Sequence, residues 1–261
     1  MSEGVVLFET NGAVAWLRLN RPKAMNALNL AILAELERHL AEIEVRDELR
    51  AVVLTGTGPA FCAGADLKEV LAGQSAEPGE PDFIDRANRV FGRLRNLAKP
   101  LIAALNGVTM AGGLELAMCA DLIIAAESAT IGDAHANFGV YPGAGGAAIL
   151  PRLIPLNMAM YLLLTGKSLS AAEMKACGLV CEIHPDEALA PAVQALAEQI
   201  ALKSPVALRR MKEVARASAD KSRDDALLHE QVMFRQHLRS ADLQEGLRAF
   251  AERRSPRFVG R

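Results

Sequence analysis

The chain has 261 residues, 51% of them hydrophobic, and a formal net charge of -2. That length supports a sizeable core in one large domain, or one and a half small ones. The near-neutral balance excludes nucleic-acid binding through a global basic field, no run approaches the ~18 apolar residues of a membrane span, and no secretory signal opens the chain, so a cytoplasmic protein is expected.

Residues 5–10 and 14–19 read as two strands joined by Asn11-Gly12, a strong hairpin signal. Residues 29–43 carry Leu33, Leu36, Leu40 and Ile43 at helical spacing. A short buried strand follows at 51–54, ending in Thr55-Gly56-Thr57-Gly58-Pro59. The stretch 73–81, rich in Gly, Pro, Ser and Glu, reads as a mobile surface loop. Residues 82–97 are helical, and 100–105 and 122–126 are strands on either side of another helix. Strand and helix alternate with a period of about fifty residues, without a letter-for-letter repeat. After Pro142-Gly143-Ala144-Gly145-Gly146 a further helix opens, and helical patterns then dominate at 186–202, 205–218, 222–239 and 242–253. The pattern predicts an α/β body at 1–195 and a helical segment at 196–261 with a basic end.

Cys62, Cys119, Cys177 and Cys181 lie among apolar or small residues, in no CxxC or Cys/His zinc pattern. They read as unpaired, buried thiols, and no metal site is expected. Neither a GxxxxGK[ST] loop nor a GxGxxG after a strand is present, so no ATP or NAD site is visible.

The most informative stretch is Ala111-Gly112-Gly113-Leu114-Glu115, between a strand-like and a helix-like run. A glycine pair there lets the backbone turn tightly and approach a ligand. It also leaves N–H groups free at a helix start, where they bind a negative oxygen. Glu115 follows within one helical turn, either as an acid/base group or as a carboxylate that compensates the helix dipole.

Several blocks in order resemble the crotonase superfamily, the enoyl-CoA hydratase/isomerase family, over essentially the whole chain. They are Leu19-Asn20-Arg21-Pro22-Lys23-Ala24-Met25-Asn26-Ala27-Leu28, Phe61-Cys62-Ala63-Gly64-Ala65-Asp66-Leu67 and the stretch from Lys99-Pro100 to Asp121. Pro142 to Gly146, Leu164-Thr165-Gly166, Gly178-Leu179-Val180 and Ala249-Phe250-Ala251-Glu252-Arg253-Arg254 complete the series. The resemblance implies an α/β fold: a crotonase-like spiral of ββα units with a C-terminal helical trimerisation region, assembled as a homotrimer or a dimer of trimers. It implies an acyl-CoA substrate, coenzyme A entering as part of that substrate, and no further cofactor. By motif position the N–H groups of Ala65 and Gly112 hold the thioester oxygen. Two pre-aimed donors stabilise enolate charge there, and losing one costs about 3 kcal/mol. Lys23, Ala24 and Leu28 fall on the family's coenzyme A path, and Ala63, Asp66, Leu67 and Lys68 adjoin the oxyanion loop. Phe250 and Arg253 match a pair that the family supplies from a neighbouring subunit; Arg253 replaces a common lysine there. Lys68 reads equally well as a helix-surface lysine.

Typical hydratases of this family use two glutamates, one for water and one for the α-carbon proton. The first is retained as Glu115. The position of the second is His135, in Gly132-Asp133-Ala134-His135-Ala136-Asn137-Phe138. Three readings fit. His135 takes over the second carboxylate's role, for which its pKa near 6.5 is suited. The chemistry has shifted to isomerisation, hydrolysis, decarboxylation or retro-aldol cleavage through a thioester enolate. Or His135 is structural. If the segment is extended, Asp133 points the same way as His135 and orients its ring. Tyr141 reads as core packing rather than a pocket contact. Enoyl-CoA hydration is the leading expectation; a coenzyme A ester-binding subunit without catalysis is the alternative of another class.

Overall fold

The computed structural model describes residues 4–73 and 81–261. Most of the loop expected at 73–81 therefore lies outside the described residues.

The hairpin forms as expected: β1 (Val6–Asn11) pairs antiparallel with β2 (Val14–Leu19). Helix α1 (Leu30–Val45) starts where the Asn29 side chain accepts the Ile32 N–H, and it buries Ile32, Leu33, Leu36, Leu40 and Ile43 on one face. The chain then repeats one theme. A strand enters a large sheet, a short strand enters a second sheet, and a helix returns. The pairs are β3 (Ala51–Gly56) with β4 (Ala60–Cys62), β5 (Leu101–Leu105) with β6 (Val108–Met110), and β7 (Leu122–Ala126) with β8 (Thr130–Gly132). After β3 and β4 come α2 (Leu67–Gly73) and α3 (Phe83–Arg95); after β5 and β6 comes α4 (Gly112–Ala117). A 3-10 turn (His135–Phe138), α5 (Gly146–Leu153) and α6 (Leu156–Thr165) follow β8. The last turn runs β9 (Ser168–Ser170), α7 (Ala171–Ala176), β10 (Glu182–His184) and α8 (Asp186–Ala201).

The large sheet has six strands in the order β1-β2-β3-β5-β7-β10, and the small one four in the order β4-β6-β8-β9. From β2 to β10 the large sheet is parallel, so each successive turn stacks on the last. That stacking is the spiral. Every residue of β3 and β5 is buried, as expected for parallel strands covered on both faces. Helix α8 covers one face and packs against β2, β3, β5, β7 and β10.

The division placed at 195/196 falls inside α8, whose buried Leu189, Val193 and Ala197 belong to the sheet core. Beyond it lie α9 (Pro205–Ser218), α10 (Arg223–His237) and α11 (Ala241–Ala251). Helix α10 buries no residue in the single chain and leans on α9. Lys212 and Arg216 tie α9 to the body through Asp121, at 2.7 and 2.8 Å.

All four cysteines are free, and Cys62 and Cys119 are buried, which pushes both thiols up to about 12. Cys181 is exposed instead, because it precedes the edge strand β10. Among the described residues no helix is long and apolar enough to cross a membrane.

Candidate active site

The site lies where the Leu28 loop, the turn after β4 and the start of α4 converge. Leu28 and Ala65 form an isolated parallel bridge. Leu28 N–H donates to Gly64 O and Asp66 N–H to Leu28 O, both at 2.8 Å. In such a bridge the intervening N–H, that of Ala65, faces away from Leu28. Gly112 is the first residue of α4, so its N–H has no intrahelical acceptor. Among the described residues neither N–H meets an acceptor. The two are close: a methyl on Gly112 would lie 3.4 Å from Ala65 N.

The sequence placed the tight turn on the glycine pair, and the structure puts it one residue earlier. Ala111 has φ 50 and ψ -121, a conformation unfavourable for any residue with a Cβ. Its N–H donates to Gly132 O on β8 at 3.0 Å, which helps hold it. Gly113 serves close approach instead, since a Cβ there would stand 2.0 Å from Cys62 O on β4.

Glu115 is 4% exposed, and its Oε1 accepts the N–H groups of Ala144 and Gly146, both at 2.8 Å. The Pro-Gly-Ala-Gly-Gly block is therefore a clamp for the carboxylate. Among the described residues Oε2 has no protein donor. His135 approaches the same space from β8. It sits at the start of a 3-10 turn, not on the extended segment expected, because Ala134 (φ -34, ψ 0) bends the chain. The ring still meets Asp133, whose two oxygens lie 3.0 Å from Nδ1. Burial opposes a charged imidazole, but the hydrogen bond to Asp133 and the charges of Asp133 and Glu115 outweigh it. They raise the His135 pKa above the ordinary histidine value.

Ala65, Gly112, Glu115 and His135 all line one cavity of about 140 Å³, together with Leu28, Ala63 and Leu67. Its far wall is apolar: Val70 from α2 and Phe83, Ile84, Ala87 and Phe91 from α3. Helix α3 is fixed there by a capping box between Asp82 and Asp85. Tyr141 lines the mouth and is 80% exposed, not packed in the core as expected, because the segment after the 3-10 turn runs over the surface.

The remaining predicted residues lie outside the cavity lining. Lys23 and Ala24 form a 3-10 turn at its approach, with Lys23 exposed. Asp66 pairs with Arg21 at 3.0 Å, and Lys68 is exposed on α2. Phe250 on α11 is 87% exposed, and Arg253 follows at φ 52; neither lines the cavity of its own chain. Two asparagines that the sequence reading passed over hold the loops in place. Asn26, fully buried, donates to Thr57 O and Ala60 O and accepts the Arg21 N–H. Asn106 accepts the Gly56 N–H and donates to Gly58 O and Ala60 O. A polar residue inside an apolar motif was the available signal for both.

Comparison with known proteins agrees with this architecture. The family model for enoyl-CoA hydratase/isomerase matches residues 9–261. A short-chain-enoyl-CoA hydratase of Clostridium acetobutylicum is 36% identical over 250 residues, covering 95% of both chains. A 2,3-dehydroadipyl-CoA hydratase of Escherichia coli K12 is 35% identical, covering 95% of this chain and 96% of its own. The crystal structure of an enoyl-CoA hydratase from Bacillus anthracis superposes with a TM-score of 0.92 at 35% identity, over 98% of this chain and all of the other. With the spiral, the paired N–H donors and the clamped glutamate in place, the chain belongs to the enoyl-CoA hydratase/isomerase family, the crotonase superfamily.

Proposed function

We propose that this enzyme adds water across the double bond of a 2-enoyl-CoA, with His135 in the place of the family's second glutamate. One observation carries the reading: a clamped carboxylate and an Asp-backed imidazole flank the cavity into which two unpaired N–H groups point. The thioester oxygen accepts from Ala65 and Gly112 N–H. Glu115, fixed through Oε1, takes a proton from water with Oε2 as the water oxygen bonds to C3. The electron pair of the double bond moves to the thioester oxygen, where the two donors hold the enolate. Protonated His135 then delivers its proton to C2. One water is consumed, and proton exchange with solvent returns Glu115 and His135 to their starting states.

The cavity favours a small, uncharged acyl group. Cavities of about 150 Å³ admit benzene, so about six carbons fit a space of this size. Its lining includes no Lys or Arg to meet a terminal carboxylate. The coenzyme A portion would leave past Lys23, Ala24 and Lys68. Phe250 and Arg253 would reach it from a neighbouring copy in a homotrimer or dimer of trimers. Supporting that assembly, α9 and α10 enclose an apolar groove of about 600 Å³ with Met211, Leu227 and Phe234 exposed.

The test is product analysis after incubation with a short 2-enoyl-CoA. A 3-hydroxyacyl-CoA is expected. Saturable binding without turnover, or a product without oxygen at C3, overturns hydration and points to the other enolate reactions or to a binding role.

A further inference from the structure

Gly146 stands between the two acidic side chains of the site. Its N–H holds Glu115 Oε1, while a methyl on its Cα would come within 2.7 Å of Asp133 Oδ2. The bare glycine thus lets both carboxylates sit beside the start of α5. Asp133 is 1% exposed, and among the described residues its carboxylate takes hydrogen bonds from His135 alone. A buried carboxylate is costly unless a donor or a positive charge meets it. An ionised one can only accept, so it places a proton on Nδ1. Nε2 is then the ring atom without a protein partner among the described residues, on a side chain that lines the cavity.

Resting on the hydration reading, we propose that Asp133 is the positioning residue of the proton donor. It holds His135 by Nδ1 and turns Nε2, with its proton, toward the substrate α-carbon. A carboxylate–imidazole pair would thereby do at this position what a single glutamate does elsewhere in the family. The ionisable groups around the imidazole are consistent with this. Asp133 precedes it in the chain and Glu115 faces it from α4, both negative. Helix α6, packed against the His135 turn, carries Tyr161 as its ionisable side chain, with Lys167 Nζ 5.6 Å from that ring. Tyr141 is at the cavity mouth. The raised His135 pKa follows from this surrounding charge and keeps the donor form present to higher pH.

The sign is fixed by the role. The donor must be protonated, so hydration is lost as pH rises through the His135 pKa. Replacing Asp133 by Asn removes the charge that raises it, and the loss should then set in at lower pH.

The experiment combines pH profiles of kcat/KM for the wild type, Asp133→Asn and His135→Gln with NMR titration of the His135 ring nitrogens. Asp133→Asn should move the alkaline limb down by about one to three pH units. It should be about 10–100-fold slower at pH 8 and nearly normal at pH 6, and the imidazole titration should shift with it. Equal loss at every pH, with the imidazole titration unmoved, overturns the proposal and leaves Asp133 a packing residue. If Asp133→Asn does not fold, the wild-type spectrum decides. Nδ1 should keep its proton while Nε2 loses it, and a neutral ring protonated on Nε2 overturns the proposal. The NMR arm is independent of turnover. If it behaves as expected while the wild type forms no 3-hydroxyacyl-CoA, hydration fails and the pair stands.

Discussion

The cavity has two walls of different construction. One is backbone: the N–H groups of Ala65 and Gly112, aimed by the Leu28 bridge and the turn at Ala111. The other is side chain: Glu115 in its clamp and His135 against Asp133. A backbone donor does not depend on the identity of its own side chain, so the enolate-stabilising wall persists as long as the fold does. The side-chain wall can change residue by residue without disturbing the spiral, and here it has: a histidine backed by a buried aspartate stands at the position of a glutamate. The fold thus fixes the intermediate, a thioester enolate, while the second wall decides what becomes of it.

The largest effect is expected on the side-chain wall. Glu115→Gln keeps an acceptor for the Ala144 and Gly146 N–H groups but cannot take a proton from water. Hydration should fall about 10³-fold, within the range for general acid–base groups, with substrate binding retained in a thermal-shift or calorimetric titration. The backbone wall can be reached only by bending it. Gly64 has φ +116, and a Cβ there would press within 3.1 Å of the Ala111 Cβ. Gly64→Ala should displace Ala65 N and lower kcat by about 10²-fold, the cost of one oxyanion donor. An equal loss in both variants with no change in KM would be compatible with the two walls; an unaffected Gly64→Ala would remove Ala65 from the account. The smallest effect concerns stability. Ala111→Gly relieves the backbone strain at φ 50, and the unfolding free energy should rise by about 1 kcal/mol with kcat little changed.

Much of this was legible in the sequence, for physical reasons. Helices such as α1, α3 and α8 are long enough for a 3.6-residue period to show, and their ends carry capping side chains such as Asn29 and Asp82. The small sheet was not legible, because β4, β6, β8 and β9 have three residues each, too few for any alternation to register. The residues that converge on the cavity were named, but their supports were not. Nothing local in Ala144 or Gly146 announces that their N–H groups meet a carboxylate 29 and 31 positions earlier. Ala111 was overlooked because strain is invisible in an alanine; the glycines beside it drew the attention. Phe250 and Arg253 were named by motif alone, and a single chain cannot bring them to the cavity they would serve.

The central claim is that His135 supplies the α-carbon proton. Its most direct test is hydration of a short 2-enoyl-CoA in D2O, with the wild type and His135→Gln compared for deuterium at C2. The account predicts one deuterium at C2 and a hydroxyl at C3 for the wild type, with both suppressed in the variant although it still binds the thioester. Incorporation at the wild-type rate in His135→Gln would contradict it.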